Sequence, residues 1–274
     1  MHKVVYIGNM AQVAEKIFFN ENLDLKKIIC EENRINDDLI TFGLIRNIEI
    51  VLVANKNELF DTLKECKKEV DFFIMCSFGL KIPVQKFDDI NIYNIHYSAL
   101  PYYKGRHPTF WATVKGEDYI GISIHMVTEE IDEGEIISQR KVPYYFWLDE
   151  KDIFKLLTDQ IDILLENLNL YLKGQINTIK NVKGYYYKPV TLEDLTINIE
   201  KDSYREIFDK VRAQATYKGA RLVLDEKEIW IKEINFTLQE FNERKYYIED
   251  GKLYVHIKEN VWLKSSKFTV DDYN

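Results

Sequence analysis

Hydrophobic positions along the first part of the chain switch repeatedly between a short period and a helical one. Lys3 to Ile7 is a β-branched run ending at Gly8, after which Ala11, Val13, Ala14, Ile17 and Phe18 recur at helical spacing. That pattern predicts a strand feeding a helix. It repeats, with a strand over Lys27–Cys30 and a helix over Asp38–Ile45, then a strand over Glu49–Val53 and a helix near Glu58–Cys66. Asp71–Cys76 is uniformly apolar after its aspartate, as expected of a central parallel strand buried on both faces. Strands alternating with helices in this way predict an α/β protein with a doubly wound, mostly parallel sheet of the Rossmann-like kind.

A short strand is expected around Ile92–Ile95 and a helix over Pro108–Val114, where proline suits the first turn. Ile120–Val127 and Glu135–Val142 read as extended segments joined by the acidic turn EEIDEG. From Glu150 to Leu172, Ile153, Leu156, Leu157, Ile161, Leu164, Leu168 and Leu172 form one stripe, predicting a single helix that Gly174 ends. Beyond it the texture changes. Tyr185, Tyr186, Tyr187 and Pro189 read as a linker, Asp202–Ala215 as a helix, and Arg221–Ile234 and Tyr246–Trp262 as short strands turning at Asp225 and Asp250-Gly251. The expected organisation is a catalytic domain over residues 1–180 and a small β-rich C-terminal domain over 181–274.

Composition narrows the function classes. With 274 residues, 46% hydrophobic and 30% charged, the chain excludes disordered and fibrous readings. Its net charge of -8 opposes attraction to phosphate backbones, so no nucleic-acid partner is expected. Three scattered cysteines suit neither a disulfide framework nor a zinc site, and no metal is expected. The N-terminus lacks the long apolar region of a signal peptide and no window reaches a membrane span, so a cytoplasmic location is expected.

Candidate chemistry concentrates in NIHYSALPYYKGRHP (94–108) and TEEIDEG (128–134). Asn94 and His96 stand two apart on an extended segment, so they leave the same face and can converge on one small group. An amide can polarise a carbonyl oxygen, and an imidazole can manage a proton near neutral pH. Asp132, in a turn between two strands, can approach the same point. Singly, each residue is better explained by local hydrogen bonding. Together they point to acyl transfer.

These two segments, NIHYSALPYYKGRHP and VTEEIDEGEII, resemble the signature of the 10-formyltetrahydrofolate-dependent formyltransferases over roughly residues 1–180. The resemblance implies Asn94, His96 and Asp132 as catalytic residues and N10-formyltetrahydrofolate as formyl donor. An amine would attack the formyl carbon while Asn94 holds its oxygen. It also implies a folate site on the Ser77–Pro83 loop, with Phe78, Leu80, Lys81 and Ile82 on one side and Val127, Glu129 and Glu130 on the other.

Departures within the family discriminate between acceptors. IGNMAQV carries a single glycine where the glycinamide ribonucleotide enzymes have a glycine-rich phosphate loop. The acidic charge argues against methionyl-tRNA, and a first strand starting at Lys3 argues against the folate-hydrolysing relatives. YYYKP and VRAQATYKGARLVL resemble segments of the branch acting on nucleotide-linked amino sugars. The implied acceptor is a dTDP-linked amino-dideoxyhexose, with a 3-amino-3,6-dideoxyhexose preferred over a dTDP- or UDP-linked 4-amino sugar, for bacterial surface glycan assembly. Asn9 and Met10 are expected beside the sugar, Lys104 and Arg106 at the diphosphate, and Tyr102 and Tyr186 at the base. A homodimer is expected.

Overall fold

A computed structural model describes residues 1–240 and 244–272. Residues 241–243 and 273–274, inside the expected C-terminal domain, lie outside the described residues. Contacts divide the chain into two compact units: Met1–Gly105, Gly121–Val142 and Leu156–Tyr186 form one, and Arg106–Ile120, Pro143–Lys155 and Tyr187–Asn274 the other.

The chain opens with β1 (His2–Gly8), α1 (Ala11–Phe18), β2 (Leu23–Glu31), α2 (Asp37–Arg46), β3 (Glu49–Val53), α3 (Lys56–Cys66), β4 (Phe72–Cys76) and β5 (Ile92–His96). Strand pairing β3-β2-β1-β4-β5 is parallel throughout. Because β1 and β4 are flanked by strands on both edges and covered on both faces, Val4–Ile7 and Phe72–Ile74 are buried without alternation. Val13, Ala14 and Ile17 form the buried side of α1, and Leu59, Leu63 and Cys66 that of α3. Asn36 and Asn55 cap α2 and α3 by accepting from backbone N–H groups.

Next come β6 (Lys104–Gly105), α4 (Pro108–Val114), β7 (Tyr119–Met126), β8 (Ile136–Pro143), α5 (Glu150–Thr158), α6 (Ile161–Leu172) and β9 (Tyr186–Tyr187). β7 joins β5 antiparallel, completing the order β3-β2-β1-β4-β5-β7-β8. The single helix expected over 150–172 is two. At the break, Gln160 N–H bonds back to the Leu157 carbonyl, and the Thr158 hydroxyl pairs with Tyr97 at 2.7 Å. Leu157, Ile161, Leu164 and Leu168 are buried on both sides of the turn, so the apolar stripe runs through it and periodicity conceals it. The expected linker contains β9, which pairs with β6.

The remaining elements are α7 (Leu192–Leu195), α8 (Tyr204–Arg212), β10 (Ala220–Leu224), β11 (Lys227–Ile231), β12 (Asn235–Leu238), β13 (Tyr246–Glu249), β14 (Lys252–Lys258), β15 (Val261–Ser265) and β16 (Phe268–Asp272). They make a smaller antiparallel region, with one sheet ordered β10-β11-β16 and another β12-β15-β14-β13. Asp225 and Glu226 both adopt left-handed φ, as do Asp250 and Gly251, which matches the two-residue turns between β10 and β11 and between β13 and β14. Ile207 and Val211 of α8 pack with Leu222, Ile229, Leu253 and Leu263 in the core of this region. No helix among the described residues is long and apolar enough to cross a membrane.

The sheet order reverses between β1 and β4, the position at which open α/β sheets form a crevice at their carboxyl ends. A Cβ at Gly8 would overlap the Cys76 carbonyl oxygen, so glycine is required for the two strand ends to approach. Below it, the buried Tyr6 hydroxyl accepts from Met10 N–H at 3.2 Å and donates to the Cys76 carbonyl at 3.4 Å.

Candidate functional site

Asn94 and His96 sit on the last turn of pleat in β5 and are both buried. The antiparallel register sets His125 of β7 opposite Asn94 and Ser123 opposite His96. Directly opposed residues share a face, so strand pairing brings a second imidazole to the Asn94 amide. Asn94 Nδ2 lies 3.1 Å from His125 Nε2 and 3.5 Å from Asp132 Oδ1. His125 Nε2 is 3.5 Å from the same Oδ1, and His96 Nδ1 is 3.7 Å from Oδ2. The residues expected from the sequence to act together therefore converge on one carboxylate.

Hydrogen-bond partners assign the tautomers. A carbonyl only accepts, so His96 Nε2 carries the proton it donates to Tyr103 at 3.0 Å, and His125 Nδ1 carries the one it donates to Met126 at 2.8 Å. Asn94 Nδ2 can then donate one hydrogen to the lone pair of His125 Nε2, which leaves its second hydrogen, 3.5 Å from Asp132 Oδ1, able to turn to another acceptor. Ser123 steadies the segment after His96, donating to the Ser98 carbonyl at 2.7 Å and accepting from Leu100 N–H at 3.1 Å.

Asp132 is held by several independent contacts. Its Oδ2 accepts from Gly105 N–H at 2.8 Å, and its carbonyl accepts from Asn181 Nδ2 at 2.8 Å. Its backbone is left-handed (φ 56°), a conformation that costs a non-glycine residue about 1 kcal/mol and that surrounding contacts must impose. Gly134 lies so near the Met126 carbonyl that a Cβ would overlap it, which draws the turn onto the end of β7. Burial works to raise the Asp132 carboxyl, but His96, His125 and the Gly105 amide outweigh it and hold the group well below the usual carboxylate range. The result is a buried, fixed negative charge beside two imidazoles and an amide.

Other residues singled out in the sequence are distributed unevenly. Phe78, Leu80 and Val127 are half-buried against a cluster containing Ile82, so the four apolar positions expected to contact folate do gather. Lys81, Glu129 and Glu130 are exposed. Asn9 donates to the Arg34 carbonyl at 3.5 Å, while its buried Oδ1 has no protein partner; Met10 touches Cys76 Sγ through its sulfur. That orphan acceptor suits a ligand donor at the crevice. Tyr102 is exposed beneath Lys141, whose ammonium lies 5.8 Å from the ring centre, and Tyr186 and Arg106 are exposed. Lys104, expected to meet a diphosphate, is instead enclosed: its side chain is fully buried and its ammonium donates to Glu133 and to the Val182 carbonyl.

Two contributions were missed from sequence. His125 lies in ISIHM, where a histidine at an inward strand position reads as core, and only the pairing with β5 exposes its role. Glu31, at the end of β2, accepts from Gly79 N–H at 2.8 Å and from Arg34, which also donates to Ser77 Oγ. This buried carboxylate thus anchors the 77–83 loop.

Residues 46–163, which contain all four converging side chains, match the formyl transferase family model. The match spans less than half of the chain. Relatives include methionyl-tRNA formyltransferase of Malacoplasma penetrans, 25% identical over 83% of this chain and 75% of that protein. The Fusobacterium nucleatum methionyl-tRNA formyltransferase is 30% identical over 62% of this chain and 56% of its own length. Among solved structures, the Helicobacter canadensis N-formyltransferase in complex with folinic acid and dTDP-3-aminofucose superposes with a TM-score of 0.70. It is 18% identical, over 97% of this chain and 98% of that one. HypX from Aquifex aeolicus with tetrahydrofolic acid gives 0.71 at 16% identity, over 99% of this chain but only 46% of that one. At such identities the two structures share a fold with this chain. No group of His, Cys, Asp and Glu among the described residues is placed to hold a metal ion.

Proposed function

We propose that this chain transfers a formyl group from N10-formyltetrahydrofolate to the amino group of a dTDP-linked amino-dideoxyhexose, with a 3-amino-3,6-dideoxyhexose as preferred acceptor. The observation that carries this reading is the convergence of Asn94, His96 and Asp132 within the formyl transferase segment. The likeness to the H. canadensis enzyme, whose complex holds folinic acid and a dTDP-amino sugar, spans nearly the whole of both chains and supports this acceptor.

The donor supplies an activated formyl carbon. The acceptor nitrogen attacks it, a C–N bond forms, and negative charge collects on the formyl oxygen, where the Asn94 amide would donate. The amine proton then passes towards N10 as the N10–C bond breaks, giving the formamide and tetrahydrofolate. His96 is oriented for that transfer between Asp132 and the Tyr103 carbonyl, and Asp132 stabilises a positive charge on the ring. Phe78, Leu80, Ile82 and Val127 would pack against the pterin, and the free Asn9 Oδ1 would accept from the sugar.

The sequence relatives favour a second reading, methionyl-tRNA as acceptor. The net charge of -8 speaks against it. A panel of dTDP- and UDP-linked 3-amino and 4-amino sugars, supplied with donor and followed by mass spectrometry, is expected to give the formamide of a dTDP-3-amino sugar. Turnover of UDP sugars alone would reject the nucleotide assignment.

A further inference from the structure

We propose that Lys104 is a positioning residue for Asp132. This rests on the reading of Asp132 as part of a formyl-transfer site. Residues 104 and 105 face residues 133 and 132 in two adjacent rungs: the Lys104 ammonium meets Glu133 at 2.5 Å, and Gly105 N–H meets the Asp132 carboxylate at 2.8 Å. A third segment lies across both rungs. Val182 accepts from the same ammonium at 2.9 Å, and Asn181 Nδ2 donates to the carbonyls of Asp132 and Gly134 at 2.8 and 2.9 Å.

The charge of Lys104 has no access to solvent, whereas the Glu133 side chain is one-third exposed. A buried ammonium is tolerated only where its partners are fixed, so Lys104 ties 103–105, 132–134 and 181–184 to one geometry. Gly184 completes the packing: a Cβ there would overlap the Pro101 carbonyl and touch Lys104 Cε. Tyr103, whose carbonyl orients His96, precedes Lys104 and is itself left-handed. One buried lysine therefore sets both the carboxylate and the carbonyl between which His96 is held. Asp132 carries the charge, and Lys104 fixes where that charge stands.

The test combines amide hydrogen exchange at Gly105, read by NMR on the full chain without ligands, with steady-state kinetics. In Lys104→Met, Gly105 exchange is expected to accelerate about tenfold or more. The kcat should fall about 10- to 100-fold, as for a small misplacement of a catalytic group, with both KM values within about twofold. Lys104→Arg should restore part of the rate. Glu133→Gln, which removes a partly exposed charge and keeps an acceptor, should move both readouts in the same direction if the lysine variant fails to fold. Unchanged Gly105 exchange or unchanged kcat in folded variants overturns the proposal. So does a rise confined to the KM for the nucleotide sugar, which would return Lys104 to the diphosphate. If the wild-type chain forms no formamide, the functional reading fails, and the exchange result alone decides whether Lys104 holds Asp132.

Discussion

Asp132 and Glu150 are both carboxylates buried to a similar degree, at 8% and 4% exposure, yet their environments push them in opposite directions. Asp132 meets two imidazoles and a backbone amide and is held ionised well below its ordinary range. Glu150, at the start of α5, meets the hydroxyl and backbone of Thr216 with Asp149 nearby; burial dominates and pushes it up to about 7. Depth alone therefore does not mark a functional carboxylate. The partners distinguish the two: Asp132 faces two imidazoles, and Glu150 faces a hydroxyl.

The contrast can be broken from either side. The largest effect is expected from Asp132→Asn, which preserves shape but removes the charge facing His96: formyl transfer should fall about 10³-fold or more, measured as formamide per enzyme. Next is His96→Ala, with an expected loss of about 10² to 10⁴, also in formamide production. Retention of near wild-type rates by either variant would remove the residue from the mechanism.

Stability should show the same opposition as a pH slope. The folded pKa of Asp132 is depressed, so its contribution is present above about pH 4, the ordinary carboxylate value, and is lost as pH falls further. The folded pKa of Glu150 is raised from 4.5 to about 7, so its contribution is full below about 4.5 and is lost as pH rises through 7. Glu150→Gln should therefore stabilise the chain by about 2–3 kcal/mol at pH 8 and leave it unchanged near pH 4.5, read as denaturant midpoints. A smaller effect is expected for Thr216→Val, which deletes the hydroxyl donor to Glu150. Its cost should be about 1–2 kcal/mol, greater at pH 8 than at pH 5, because a hydrogen bond to the ionised form is the stronger one. Equal cost at both values would show that Glu150 does not change charge across that range.

The fold was legible where the apolar period was local. Glu49–Val53 and Pro108–Val114 form at the residues their patterns indicate, and buried β4 follows from its uniform run. The turn between α5 and α6 was not legible, because the stripe continues through it. β12 and β16 were also missed, since short edge elements of the C-terminal sheets are specified by their partners as much as by their own residues.

In the site, Asn94 and His96 were legible from a spacing of two, and Asp132 from its turn. His125 was not, because only the β5–β7 register places it against Asn94. The burial of Lys104 was not legible for a related reason: beside Arg106 it looks like part of a basic surface loop. The groups that enclose it come from residues 133 and 182, far along the chain.

The most direct measurement offers the wild-type chain N10-formyltetrahydrofolate together with equal amounts of a dTDP-3-amino-3,6-dideoxyhexose and methionyl-tRNA, and follows where the formyl group goes. The account predicts formamide on the sugar nucleotide and none on the tRNA. Formyl-methionyl-tRNA as the product, or no transfer to either acceptor, would contradict it.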